Sequence, residues 1–346
     1  MTRKILLVIL CIAAACAVWR FSLQSISSPT VTIPSSTNTQ TPDIDGLTIG
    51  WVGDMVPATD IGYNLTVLNN VSDDLEVPDL MMGNLEGTFA HAGRTSKCAT
   101  GLPNCYAFAG DPSFADTLKA AGFDFVSLIN NHSLDYGNAG LKDTEAELNR
   151  VGLAYIAPDK PTTSITVNGV KIGIMGISST PPASTITDYA YIANTVIQLK
   201  KENDIVIVIF HGGAEGDDQT AVTGAEEYQG SEDRGNVQAV AYTAINAGAD
   251  LVLGDGPHVL RKVQWYHNKL IAYSLGNFVG GNGRLSTTDK LGLGGIFTAS
   301  FIKDPATGIE NVQKEYGFTS VLLDKDGTPS LDPTNTAQQL LNSLSQ

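Results

Sequence analysis

Phe123-Asp-Phe-Val-Ser-Leu-Ile129 leads without a break into Asn130-Asn-His-Ser-Leu-Asp-Tyr-Gly137. An apolar run of strand length that stops abruptly at two amides and an imidazole reads as a strand delivering polar side chains to a sheet's carboxyl end. Open α/β folds place their ligand sites there. An Asn oxygen ligates metals, and a neighbouring His either ligates or carries a proton. Taken alone, Asn130-Asn-His132 also reads as a polar turn. Four other strands end in the same manner, and their number shifts the reading.

Outward from this stretch, Leu47 to Val52 runs into Gly53-Asp54, and Leu80-Met-Met82 into Gly83-Asn-Leu-Glu86. Ile205-Val-Ile-Val-Ile-Phe210 is apolar at every position, as a strand buried on both faces requires, and ends at His211. Leu251-Val-Leu253 ends in Gly254-Asp-Gly-Pro-His258. Helices are expected over about 112–121, 138–151, 189–201 and 234–247, the second and fourth stopped by Gly152 and Gly248, with a short one near 63–71. Asn168-Gly169 marks a hairpin between 164–167 and 170–177, and a second hairpin turns at Asn268. Further β segments are expected near 295–301 and 319–323, then a terminal helix over 335–344. Strands alternate with helices before β segments take over, so the fold class is a layered α/β domain of mixed sheets.

The chain has 346 residues and a formal charge of −15. So acidic a balance excludes sequence-independent nucleic-acid binding, which needs cationic surface. Arg3 and Lys4 precede the apolar run Ile5 to Trp19, which suits a signal peptide or N-terminal membrane anchor over residues 1–20. Ala15-Cys16-Ala17 offers a cleavage site, Ala13-Ala-Ala-Cys16 a weak lipobox, and retention as an anchor is the third option. All three export the remainder of the chain, giving an extracytoplasmic protein that is secreted or membrane-anchored. Residues 21–46, rich in Ser, Thr and Pro, read as a flexible linker, 47–325 as the domain and 326–346 as a tail. Cys98 and Cys105 are the only cysteines outside the leader, and in an oxidising compartment they are expected to pair across their short polar loop.

The candidate site is therefore Asp54, Glu86, Asn131 with His132, His211 and His258. Three of the five histidines fall at these strand ends, whereas His91 and His267 sit in polar loops. Carboxylates, imidazoles and an amide oxygen together suit divalent cations, and a pair of such ions holds a phosphate ester and supplies a hydroxide nucleophile at neutral pH. Walker, nucleophile-elbow and dinucleotide motifs are absent from the strand ends, so those chemistries have no support.

These segments resemble the CapA-type capsule-synthesis proteins, which are tied to poly-γ-glutamate production in bacteria. The resemblance rests on Val52-Gly-Asp54, Asn84-Leu-Glu86, Asn130 to Gly137, His211-Gly-Gly-Ala-Glu215, Gly248 to Val252 with Pro257-His258, and Tyr273-Ser-Leu-Gly-Asn-Phe278. It covers about residues 47–280 in family order. It implies the four-layer α/β/β/α sandwich of the calcineurin-like metallophosphatases and one or two divalent ions (Mn, Fe or Zn). The implied ligands are Asp54, Glu86, Asn131, His211 and His258. His132 is then the general acid and Glu215 a supporting or substrate-facing carboxylate. The implied roles are hydrolysis of phosphoester or γ-glutamyl amide bonds, or a non-catalytic scaffold. The implied partners are membrane polymer synthase or export subunits and an anionic polymer or its precursors. Two positions depart from the pattern. Val56 stands where the wider phosphatases carry His, and Gly256-Pro-His258 where related capsule proteins read His-Pro-His. One ligand to each ion is thus missing, which predicts weaker binding, with one ion or none. Asp255, one residue away, is a candidate replacement.

Overall fold

The computed structural model describes residues 31–32, 46–89, 95, 97–98, 105–180, 186–304, 308–310 and 316–345. The leader expected over residues 1–20 lies outside this set, as does the linker apart from Val31–Thr32 and Gly46, so neither reading meets a structural observation. Among the described residues no helix is long and apolar enough to cross a membrane.

Two sheets pack face to face. The first contains Gly46–Val56, Leu80–Leu85, Phe125–Ser127 and Ala154–Ile156 as parallel neighbours, extended by antiparallel strands Leu293–Asp304, Gly317–Leu323 and Pro329–Leu331. The second carries Thr162–Val167, Val170–Ser178, Ile205–His211, Leu251–Asp255, Lys269–Ala272 and Val263–Tyr266 in that spatial order. Its three central strands are parallel, in the register Ile209 opposite Gly176 and Leu253.

Alternation along Ile205–His211 shows why the layers form. Ile205, Ile207 and Ile209 enter the core between the sheets beside Ile49, Trp51 and Phe297. Val206, Val208 and Phe210 point the other way, against the helices Tyr189–Lys200 and Val237–Ala247. The outer face of the first sheet is covered likewise by Ser113–Ala120 and Gly137–Val151, through Phe114, Leu118, Leu141 and Leu148. The result is the four-layer α/β/β/α order. Each fully buried Ile or Val contributes on the order of 1.5–3 kcal/mol, so a charged residue at Ile207 would unseat both layers at once.

Several elements differ from the sequence expectation. The strand before Asn130 is only Phe125–Ser127, because from Leu128 the backbone turns to serve the side chains beyond it. The helix expected from 234 begins at Val237, capped by the Asn236 side chain on the Ala239 N–H. Residues Glu232–Gly235 instead pair with Glu227–Gln229 as a small hairpin, which carries Arg234 inward. Residues 326–346, set apart as a tail by sequence, supply strand Pro329–Leu331 and helix Thr336–Leu344, whose Leu341 lies in the inter-sheet core.

Candidate metal centre

The parallel strands of both sheets end at one edge, and their terminal side chains converge there. Asp54 lies within the last turn of Gly46–Val56, where the chain presses against the Ser274–Asn277 turn. The Asp54 N–H donates to Gly276 O at 3.0 Å. A Cβ on Gly53 would stand 1.9 Å from that same carbonyl, so only glycine permits the approach. Asn84 Nδ2 donates to Asp54 Oδ1 at 2.8 Å, and the Gly256 N–H reaches Asp54 Oδ2 at 3.4 Å.

Asn130 builds the turn that presents its two successors. Its Nδ2 donates to Asn84 Oδ1 at 3.0 Å and to Leu85 O at 2.9 Å, while its Oδ1 accepts from the His132 N–H at 3.0 Å. Asn131 is thereby left with its Oδ1 buried and unpartnered.

Glu86 is the centre of the arrangement. Its Oε1 lies 3.8 Å from His132 Nε2, 4.0 Å from His211 Nε2 and 3.9 Å from His258 Nε2. In each ring the other nitrogen is engaged by an acceptor. His132 Nδ1 meets Asp135 Oδ2 at 2.6 Å, His211 Nδ1 meets Asp255 Oδ1, and His258 Nδ1 meets Asn277 Oδ1 at 2.9 Å. Acceptors at Nδ1 hold a proton there, so each ring directs its Nε2 toward Glu86. Metal-ligating histidines are oriented in this way.

Burial makes the cluster unstable as it stands. Desolvation, reinforced by Asp54, pushes the Glu86 carboxyl up to about 8. Desolvation and then Asp54 and Glu86 also raise Asp255 well above the usual carboxylate range. Burial opposes charge on His258, but Glu86 and Asp54 outweigh it and push the imidazole up to about 10. His211 is driven well down, by burial first and then by Arg234 and His258. Burial likewise lowers His132, against the pull of Asp135.

A divalent cation fits this donor set. Six buried side-chain polar atoms among the described residues lack a hydrogen-bond partner, and five belong here: both Glu86 oxygens, Asn131 Oδ1, His211 Nε2 and Asp255 Oδ2. Buried polar atoms are almost always satisfied, so five orphans on residues of the converging strand ends call for a ligand. Two triads, Asp54–His211–Asp255 and Asp54–Glu86–His258, bring one donor atom from each member within 4.8 Å of one another.

The structure therefore gathers Asp54, Glu86, His132, His211 and His258, and leaves the side-chain oxygen of Asn131, the residue before His132, buried and without a partner. Glu215 stands at the edge, 3.1 Å from Arg234 Nη2, and lines a cleft of about 230 Å³ with His258, Gln229, Asn277, Leu285 and Leu291. The two departures resolve differently. Val56 is fully buried and supplies no ligand. Asp255 lies in a candidate ligand triad with Asp54 and His211, as its proposed replacement of the missing donor requires. Gly256 has no room for a side chain. At φ +112° its Cβ would sit 3.0 Å from Arg234 Nη2 and 3.0 Å from the Gly212 N. Arg234 itself is fully buried and donates to Gly213 O. Sequence reading missed Arg234, Asp135, Asn130 and Asn277. The single basic residue in acidic Gly230-Ser-Glu-Asp-Arg234 was the available hint for the first. His258 holds φ +62°, a left-handed conformation rare outside glycine and costly enough to mark functional sites.

The family model for the bacterial capsule synthesis protein PGA_cap matches residues 48–282. The chain belongs to this family. The PGA biosynthesis protein CapA of Bacillus subtilis is 33% identical over 190 residues, 50% of this chain and 47% of that protein. A probable polyglutamine synthesis accessory protein of Mycobacterium tuberculosis is 30% identical over 245 residues, 63% and 58% of the two chains. The chain thus spans about half the length of the Bacillus relative. Among solved structures, a phosphatase from Mycoplasma pneumoniae aligns at TM-score 0.49 and 14% identity, over 80% of this chain and 94% of that one.

Proposed function

We propose that this protein is an extracytoplasmic, metal-dependent hydrolase serving synthesis of a poly-glutamate-type surface polymer, acting on phosphoester or γ-glutamyl amide bonds. The observation that carries the metal is the pair of buried triads, Asp54–His211–Asp255 and Asp54–Glu86–His258, whose Glu86 oxygens, His211 Nε2 and Asp255 Oδ2 have no hydrogen-bond partner. Family membership and the roles named for the Bacillus and Mycobacterium relatives support the polymer context. The apolar leader supports export, secreted or anchored, and a membrane synthase or export complex is the partner this context favours.

When bound, a Mn, Fe or Zn ion held by Asp54, Glu86, Asn131, His211, Asp255 and His258 supplies Lewis acidity and an activated water. His132 is not needed as a ligand in this set. Its Nε2 faces Glu86, and its Nδ1 is held by Asp135, which orients the ring for proton transfer to a leaving group and partly offsets the burial that lowers its basicity. The cleft beside His258 and Glu215 seats the remainder of the substrate, with Asn277 and Gln229 as polar contacts.

The test is elemental analysis of protein purified without chelators, paired with assays on p-nitrophenyl phosphate and on γ-glutamyl amides. Bound metal with hydrolysis lost in His132→Ala supports the reading. Metal-free protein that hydrolyses neither sinks it. The fixed cation of Arg234 beside Gly256 favours a second reading, a metal-poor scaffold for the synthase, which a metal-independent pull-down of membrane partners would support.

A further inference from the structure

Residues on both flanks of the Cys98–Cys105 pair grip the proton-transfer side of the site. On its first flank, Thr95 Oγ1 donates to Asp135 O at 2.5 Å, and Lys97 Nζ donates to Asn131 O at 3.0 Å. The same ammonium pairs with Asp135 Oδ1 and lies 3.4 Å from His132 Nδ1. On its second flank, the Phe108 N–H donates to Asp135 Oδ2 at 2.6 Å. The Phe108 ring stacks on the His132 imidazole, centroids 4.1 Å apart and planes inclined by 29°. Both flanks thus converge on Asp135 and His132, and the Cys98–Cys105 disulfide joins them. One cysteine comes directly after Lys97, and the other precedes Phe108 by three residues.

We propose that Lys97 is a positioning residue for His132, kept in place by the Cys98–Cys105 disulfide, so that this side of the site is fully assembled only once the bridge has formed. The inference rests on His132 being the proton-transferring group of the function proposed above. Asp135 is wholly buried and accepts from His132, Phe108 and Lys97 together, so its carboxylate is the pivot that sets the ring. The Lys97 side chain remains 36% exposed. A long, half-solvated lysine surrenders much rotamer freedom to stay over one carboxylate. A short covalent loop next to it removes most of the competing backbone conformations. Without the bridge, Lys97 is free to leave for water and Asp135 loses its cation. Bridge formation is thiol–disulfide exchange. Two thiols give up two protons and two electrons to a disulfide oxidant of an oxidising compartment, which leaves as the dithiol. The site would then remain loose until the chain reaches such a compartment.

The test tracks the ring rather than turnover. Full-length protein labelled with ¹⁵N-histidine is compared by long-range ¹H–¹⁵N spectra as oxidised wild type, reduced wild type, Cys98→Ser/Cys105→Ser, Lys97→Met and Lys97→Arg. Oxidised wild type is expected to show His132 as a single form protonated at Nδ1. Reduction, the double serine variant and Lys97→Met should each average that signal between tautomers, leaving His211 and His258 unmoved. Lys97→Arg should restore the fixed form. Lys97→Met keeps the bridge, so it tests the proposal even where the serine variant folds badly. A His132 pattern unchanged by both reduction and Lys97→Met would overturn the proposal. If the pattern changes as expected in protein that hydrolyses nothing, the positioning stands and the catalytic reading falls. If hydrolysis is present while the pattern never changes, the catalytic reading stands and the positioning falls.

Discussion

Glu86, Asn131 and His132 reach the centre from one sheet, and His211, Asp255 and His258 from the other, yet the two halves are secured by different means. On the first, Asn130 and Asn84 bond one another and the neighbouring strand, so residues close in sequence to the ligands hold them in place. On the second, two supports come from outside the ligand-bearing strand ends. Asn277 orients His258 through Nδ1, and Arg234 enters on a separate hairpin to fill the space beside Gly256.

The largest effect is expected on the first half. His132→Ala should lower turnover by about 10²–10⁴-fold, as for loss of a general acid, while calorimetric metal affinity stays within a few fold. A comparable fall in metal affinity would make His132 a ligand and erase its distinction from the other two imidazoles.

On the second half, Asp255→Asn should weaken metal binding by roughly 10–100-fold, because it loses a charged donor and alters the orienting partner of His211. Unchanged affinity by metal titration would mean that Asp255 only orients the ring and that this half lacks a ligand after all. Asn277→Ala should cost less, roughly 10-fold, since Asp54 Oδ2 at 3.1 Å still engages His258 Nδ1.

Much of this was readable in advance, and the reasons differ by residue. The unbroken apolar run Ile205–Phe210 and the glycine stops at Gly152 and Gly248 marked a strand buried on both faces and two helix ends, because each signal is local. Asn131 and His132 were legible for the same reason. Asp255 looked doubtful because strand-end spacing does not reveal which side chain turns inward, and only the Asp255–His211 contact does so. Arg234 was hidden behind a helix expectation. Asn236 caps the helix two residues later, which frees Arg234 to lie in a strand and point at Gly213 and Gly256.

A gentler probe uses pH and engages both halves together. Glu86 and His258 are pushed up to about 8 and about 10, so in metal-free protein both hold protons at neutral pH that an entering ion must displace. Apparent metal affinity should therefore rise with pH toward about 10, with proton release on binding. The stability of the metal-free fold should move the opposite way. Both folded-state values exceed the ordinary ones, so the contribution of Glu86 is whole below its ordinary 4.5 and lost as pH rises through about 8. That of His258 is whole below 6.5 and lost through about 10. Above about pH 7, where the lowered His132 and His211 no longer contribute, thermal melts of metal-free protein should fall with pH toward about 10, and metal should flatten the curve.

The most direct test is a calorimetric titration of metal-free protein with Mn²⁺, run beside Glu86→Gln. Wild type should bind at least one equivalent per chain with proton release, and Glu86→Gln should lose that binding, because all three Nε2 atoms face its Oε1. No binding by wild type, or equal binding by Glu86→Gln, would contradict a metal centre at the meeting of the two sheets.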